Sequence, residues 1–287
     1  MQMPVVIFDE SAAAYAAPNH PERPARVTGT AAHLSQKHPE WTWMKPRSAT
    51  TDEVLRVHRP EHLERLRRPA DFDSDTPYYP GIQQHALLAA GAAIGSVDLA
   101  LHGKKGFSLM RPPGHHATPT RAMGFCYLNS IAIAAHYALA NGCERVAIWD
   151  FDAHHGNGTE EIVFGDDRIR FASVHQHPCY PGTGTVSRSN VFNWPIPPST
   201  GSKRHSSAVR EALERLTEFD PGIVLVSAGF DAYLRDPLTQ MSLEREDFAS
   251  FGLWLKETGL PAAPILEGGY SDDLPSLIEA FLSTWGD

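Results

Sequence analysis

The sequence predicts a single-domain α/β fold: a parallel sheet with helices on both faces. Three observations carry this. Short, almost wholly apolar runs alternate with helical patterns, as in strands buried on both sides and joined by helical crossovers. No internal repeat and no Gly/Ser linker divides the 287 residues, so one continuous domain is expected over 1–287. The composition, 42% hydrophobic and 21% charged, is that of a globular chain. A chain of this length buries roughly three quarters of the surface its unfolded form exposes.

Residues 5–8 open the series of strands, followed by 106–110 (GFSLM), 146–149 (VAIW), 169–174 (IRFASV), 223–227 (IVLVS) and 263–266 (APIL). Between them, the Ala- and Leu-rich stretch Ile82–Leu101 reads as a helix. Asn129 is placed to cap a helix over Ser130–Ala140, with Gly142 near its end. Val209, Leu213 and Leu216 share one face of a helix over about 205–218. Phe248, Phe251 and Leu255 share a face of the next, ended by Gly259. Asp272 and Asp273 open a last helix, where carboxylates favour the positive end of the dipole. The segments 68–81, 111–124 and 177–202 read as loops.

Lysine plus arginine number 25 against 34 aspartates and glutamates, a net charge of −9. That balance argues against a surface that grips nucleic-acid phosphates. No run of 18 apolar residues is present, so no membrane span is expected. The start, MQMPVVIFDE, lacks a basic region followed by a long apolar stretch, so no secretory signal is expected there. Cys126, Cys143 and Cys179 form no CxxC pattern and fit a reducing cytoplasm. Of the 15 histidines, His33, His38, His58, His62, His85, His102, His136 and His205 show no partner pattern and are expected at the surface, without a role.

Ligands of parallel sheets sit at the carboxyl ends of the strands. Past GFSLM lie His115 and His116, stiffened by Pro112 and Pro113. Past VAIW lie Asp150, Asp152, His154 and His155; past IRFASV, His175; past IVLVS, Asp231; past APIL, Tyr270. Five strands therefore deliver reactive side chains to one edge. Asp152 and His154 are two apart, and in extended chain such residues point the same way. With Asp231 from another strand they make an O,O,N set that leaves coordination positions open. Such a set is borderline for zinc and also accepts Fe²⁺ or Co²⁺. Adjacent side chains diverge, so one of His115 and His116 is expected near the reacting water and the other deeper. Tyr270 follows Gly268 and Gly269, a flexible turn able to aim its phenol inward. GxSxG, HExxH, Walker A and GxGxxG patterns are absent.

The motifs HPERPARV (20–27), RPPGHHA (111–117), AMGFCYLNS (122–130), DFDAHHGNGT (150–159), YPGTG (180–184), SAGFDA (227–232) and EGGY (267–270) resemble the histone deacetylase family, nearest to class II and its bacterial relatives. The resemblance implies the arginase–deacetylase fold and runs from about residue 5 to 280. It implies zinc ligands at Asp152, His154 and Asp231, with His116 as general base and His115 as its neighbour, an acid or electrostatic helper. Asp150 pairs with His115, and Asn157 stands behind His116 where class I members have aspartate. Tyr270 matches the donor to the developing oxyanion. Gly124, Phe125 and Tyr180 match walls of an acyl-lysine tunnel, with tyrosine where phenylalanine is usual. Asp75 matches a rim aspartate that holds the substrate backbone, and Leu238 in RDPL the gatekeeper. Arg26 matches an arginine lining an internal cavity. Asp150, Asp152, His154, Ser173 and Val174 match a structural potassium site.

The implied reaction is metal-assisted amide hydrolysis, with an acyl-lysine peptide or protein as first substrate. Acetylpolyamine or another small acetylated amine comes second, because the gate carries no glutamate and the rim no long insertion. Two rivals remain at this point: a non-catalytic acyl-lysine binder, and an arginase-like enzyme with two manganese ions, for which AGFDA supplies only Asp231.

Overall fold

The computed structural model describes residues 3–286. It contains eight strands: β1 (Val5–Ile7), β2 (Thr42–Met44), β3 (Gly106–Ser108), β4 (Val146–Asp150), β5 (Ile169–Gln176), β6 (Val191–Ile196), β7 (Ile223–Ala228) and β8 (Ala262–Leu266). The helices are α1 (Ala25–Lys37), α2 (Thr51–Val54), α3 (Pro60–Arg65), α4 (Ile82–Leu101), α5 (Ser130–Ala140), α6 (Asn157–Val163), α7 (Ser202–Thr217), α8 (Arg245–Glu257) and α9 (Leu274–Gly286). The strands form one sheet in the order β2-β1-β3-β8-β7-β4-β5-β6, and every pairing is parallel.

Strand residues alternate between two cores. Ala147 and Trp149 of β4, with Val224, Val226 and Ala228 of β7, pack on the face that holds Val209, Leu213, Phe248, Phe251 and Phe281. Val146 and Ile148, with Ile223 and Leu225, pack on the face that holds Val97, Ile131 and Ala135. Burial on both faces explains why these strands read as continuous apolar runs. Helix α4 is long and apolar enough, by length and composition, to cross a membrane. Here it lies against β3, β8 and α5, which accounts for its apolar character.

Two strands were not legible. β6 falls inside 177–202, expected as a loop. It contains Pro195, which cannot donate to a ladder, and it is tolerated because β6 is the outermost strand. β2, three residues long, forms the opposite edge. The histidine expectation also needs correction: His58, His62 and His205 are buried. His58 Nε2 accepts the Asn129 N–H (2.9 Å), and His62 bonds the Tyr127 carbonyl (2.7 Å).

Chain direction across the sheet reverses beside β4. From β4 the chain moves outward to β5 and β6, then returns to β7 on the other flank of β4 and continues to β8. The segments after β4 and β7 therefore lead off toward opposite flanks at the strands' carboxyl ends, the usual place for a ligand in such sheets.

Candidate active site

Asp152 and His154 leave β4, and Asp231 leaves the adjacent β7. Their potential ligand atoms all lie within 4.8 Å of one another. His154 Nδ1 is 2.8 Å from Asp231 Oδ2 and 3.3 Å from Asp152 Oδ1. Donors bound about 2.0–2.2 Å from one shared ion stand at such separations. The remaining oxygens are tied to backbone: Asp152 Oδ2 accepts the Gly268 N–H (2.7 Å), and Asp231 Oδ1 accepts that of Ala153 (2.7 Å).

Two glycines make room for these carboxylates. A Cβ at Gly229 would fall 2.1 Å from Asp152 Oδ2, and one at Gly268 would fall 2.4 Å from Asp231 Oδ2. Gly268 thus serves close approach rather than flexibility, while Gly269, at φ 115°, supplies the turn. Two fully buried carboxylates facing one imidazole leave uncompensated negative charge in the interior, which is costly without a cation. The donor set therefore fits a divalent metal.

His115 and His116 arrive from the loop after β3. Their rings lie 4.1 Å apart, so the expected divergence is small; His115 Nε2 stands 3.8 Å from Asp152 Oδ1, and the His116 ring 6.0 Å from that of His154. His115 Nδ1 bonds Asp150 Oδ2 at 3.0 Å. Burial opposes charge on His115, but Asp152 and Asp150 outweigh it and push the imidazole up to about 10, before any cation neutralises Asp152. His116 Nδ1 lies 2.8 Å from Asn157 Oδ1, an arrangement in which Nδ1–H donates and Nε2 keeps its lone pair. Burial, then the charges on His115 and His154, hold His116 well below the usual histidine range.

Tyr270 is buried. Its ring stands edge-on to Phe125 (5.8 Å) and beneath the Arg26 guanidinium (4.7 Å). Burial raises its phenol well above the ordinary value, so it remains a hydrogen donor. Tyr180 stands perpendicular to His116 at 5.2 Å and is 37% exposed. Gly124, at φ 55°, lets these rings close in, since a Cβ there would lie 2.5 Å from His116 Cδ2 and 2.9 Å from Tyr180 Cε1. Asp75 is half-buried and precedes Thr76, whose Oγ1 accepts the Phe125 N–H (3.1 Å). The Asp75 carbonyl bonds His20 Nε2 (3.1 Å), whose ring packs on Phe125 (4.7 Å). Leu238, 38% exposed, lies on the loop after β7.

Arg26 is buried. Its guanidinium donates to the carbonyls of Gly269 (2.6 Å) and Glu267, and to the Glu22 carboxylate (3.2 Å). Ser173 pairs with Asp150 in the β4–β5 register, while Val174 faces the core. His175 is not delivered to the site: it is an interior residue of β5, bonded to Ser173 Oγ (3.0 Å) and the Gly184 carbonyl (3.0 Å). His155 likewise turns away, to Thr183 and Glu160.

Sequence reasoning missed the residues that hold the frame. Glu267 Oε2 accepts the N–H groups of Gly114 (2.6 Å) and His115 (3.1 Å). Arg111 grips Glu22 with Nε (2.5 Å) and a second nitrogen (2.7 Å). Asn129, read only as a cap, also donates to the Ala117 carbonyl (3.0 Å) behind the histidine pair. Glu267 and Arg111 stand inside the quoted motifs, which was their only signal.

Residues 20–284 match the histone deacetylase domain family. An Archaeoglobus fulgidus protein named a probable deacetylase is 36% identical over 292 residues, spanning 93% of this chain and 81% of that protein. The solved HDA15 HD domain is similar with a TM-score of 0.92 and 32% identity, covering 99% of this chain and 88% of that one. A solved acetylpolyamine aminohydrolase from Burkholderia pseudomallei is similar with a TM-score of 0.90 and 25% identity, covering 99% and 98%.

Proposed function

From the premise that the chain belongs to the histone deacetylase family and is a deacetylase-type amidohydrolase, we propose that it removes acetyl or other acyl groups from lysine side-chain amines, with zinc as its cofactor. The observation that carries this is the convergence of Asp152, His154 and Asp231 beside the His115–His116 pair, with Tyr270 near enough to feel the charges of Asp231 and Asp152. Asp152, His154 and Asp231 would hold the ion. Once bound, it supplies Lewis acidity that polarises the acyl carbonyl and lowers the pKa of a water molecule.

The chain's own residues do the rest. His116, neutral and oriented by Asn157, accepts the proton of the attacking water at Nε2. His115, bonded through Nδ1 to Asp150, stands beside the place where negative charge develops in the transition state. Tyr270 donates its O–H to the oxyanion. An imidazole then returns a proton to the departing amine, so water's hydroxyl ends in the carboxylate product and its proton on the amine. Phe125, Tyr180 and Gly124 flank the acyl-bearing stem, and Asp75 meets the substrate backbone at the rim. A structural potassium ion at Asp150, Asp152, His154, Ser173 and Val174 belongs to the same reading.

Leu238 at the gate, in place of an acid, favours a lysine stem. Asp71, Asp73 and Asp75 on the rim, together with the similarity to an acetylpolyamine aminohydrolase, favour acetylpolyamine as the second reading. The ligand set and Tyr270 are all present, which favours hydrolysis over simple acyl-lysine binding. The test is a screen of zinc-loaded protein against acetylated peptides, longer acyl-lysines and acetylpolyamines, with metal counted per chain. One zinc and fastest turnover on acyl-lysine are expected. Faster turnover of acetylpolyamines would transfer the assignment to the second reading. Two ions per chain, or undiminished zinc in Asp231→Asn, would break the ligand assignment.

A further inference from the structure

Asp236 is buried, and its two carboxylate oxygens serve two different loops. Oδ1 accepts the N–H of Leu238 (3.0 Å) within its own turn after β7. Oδ2 reaches across 34 residues of sequence to accept the N–H of Tyr270 (2.7 Å) after β8. A residue that only closed its own turn would need one oxygen.

The other ties on the 267–270 loop all precede Tyr270. Glu267 N–H donates to the Ala228 carbonyl (3.0 Å), Gly268 N–H to Asp152 Oδ2 (2.7 Å), and Arg26 to the carbonyls of Glu267 and Gly269. Gly269, at φ 115°, then turns the chain immediately before the tyrosine. Past that turn, the Tyr270 peptide N–H rests on Asp236, while Phe125 and Arg26 hold the ring.

We infer that Asp236 is a positioning residue for Tyr270: it fixes the tyrosine peptide and couples it to the rim residue Leu238, so the oxyanion donor is placed from the substrate gate. This rests on the catalytic role proposed for Tyr270. Two N–H groups converging from different loops require two acceptor oxygens, and the carboxyl group of Asp236 provides both. Asparagine offers one oxygen and turns an NH₂ toward the other N–H.

The test is a double-mutant cycle of Asp236→Asn and Tyr270→Phe on an acetyl-lysine peptide, with zinc content measured throughout. Hydrogen exchange over residues 267–273 is followed in parallel. Asp236→Asn is expected to keep its zinc and lose about 10–100-fold in kcat with little change in KM, the scale of an ångström-level misplacement. In the Tyr270→Phe background the same change should cost little further, because its route of action is already gone. Exchange over 267–273 should speed up. Losses that multiply across the cycle, full kcat in Asp236→Asn, or unchanged exchange would each overturn the inference. If the asparagine variant does not fold, the cycle is run with Asp236→Glu, which keeps both oxygens but shifts them by one methylene. Full activity in Tyr270→Phe would instead sink the proposed mechanism, and the exchange readout would still decide whether Asp236 holds the loop.

Discussion

Gly268→Ala should strip the site of its metal. A Cβ built on Gly268 lies 2.4 Å from Asp231 Oδ2 and 2.5 Å from Asp152 Oδ2, where ordinary contact begins near 3.4 Å. The carboxylates, or the loop that carries Gly268, must therefore move by about 1 Å, whereas metal–ligand distances tolerate only about 0.2 Å. Both carboxylates are buried and pinned, Asp231 by the Ala153 N–H and Asp152 by the N–H of Gly268 itself, so neither swings aside freely. Disturbing an outer partner of a metal ligand already costs about 10–100-fold in affinity, which sets the least expected loss. Competition with a chromogenic chelator reads the affinity, and turnover regained at high zinc separates weak binding from misfolding. Gly201→Ala is the control, since nothing lies within 4 Å of its added Cβ. A Gly268→Ala protein that binds zinc as tightly as wild type would refute the view that this glycine exists to let the carboxylates converge.

Tyr270→Phe should lower kcat by about 10²–10³ while zinc stays stoichiometric, the usual cost of losing one oxyanion donor; full turnover would remove the phenol from the chemistry. Asn157→Asp places a charge where Asn157 Oδ1 now lies, 2.8 Å from His116 Nδ1. An anion there favours the imidazolium and raises its pKa by about 1–3 units, so a base that must be neutral is lost at higher pH. The acid limb of kcat/KM should move upward, and an unmoved limb would take His116 out of the base role. Away from the site, Arg47 holds the Glu53 carboxyl at about 2 against an ordinary 4.5. A depressed carboxylate stabilises the fold above its unfolded pKa and loses that contribution as pH falls toward the folded value. The urea midpoints of wild type and Glu53→Gln should therefore differ at neutral pH and converge between about pH 4.5 and 2, and a gap that persists at pH 2 would contradict the pairing.

What the sequence disclosed follows from where each residue's partners lie. Strands β4, β5 and β7 could be read because burial on both faces leaves them almost wholly apolar, and a polar residue then marks where each strand ends. That same rule placed Asp152, His154, Asp231 and Tyr270 on one edge. It failed for His175, because β5 runs two residues further than its apolar stretch, and the imidazole stays inside the sheet bonded to Ser173 and Gly184. β6 was hidden by Pro195, which is tolerated only because no strand lies outside it. The groups that hold the catalytic loops left no periodic trace. Glu267 reaches back to Gly114, Glu22 to Arg111, and Asp236 to Tyr270, each bond crossing between 34 and 153 residues of sequence. The partners in such bonds are largely peptide N–H groups, which every non-proline residue owns, so only the folded chain reveals which one is used. The candidate chemistry was therefore legible in the side chains gathered at one edge, and the precision of their placement was not, because it is set largely by buried acids bonded to peptide N–H groups.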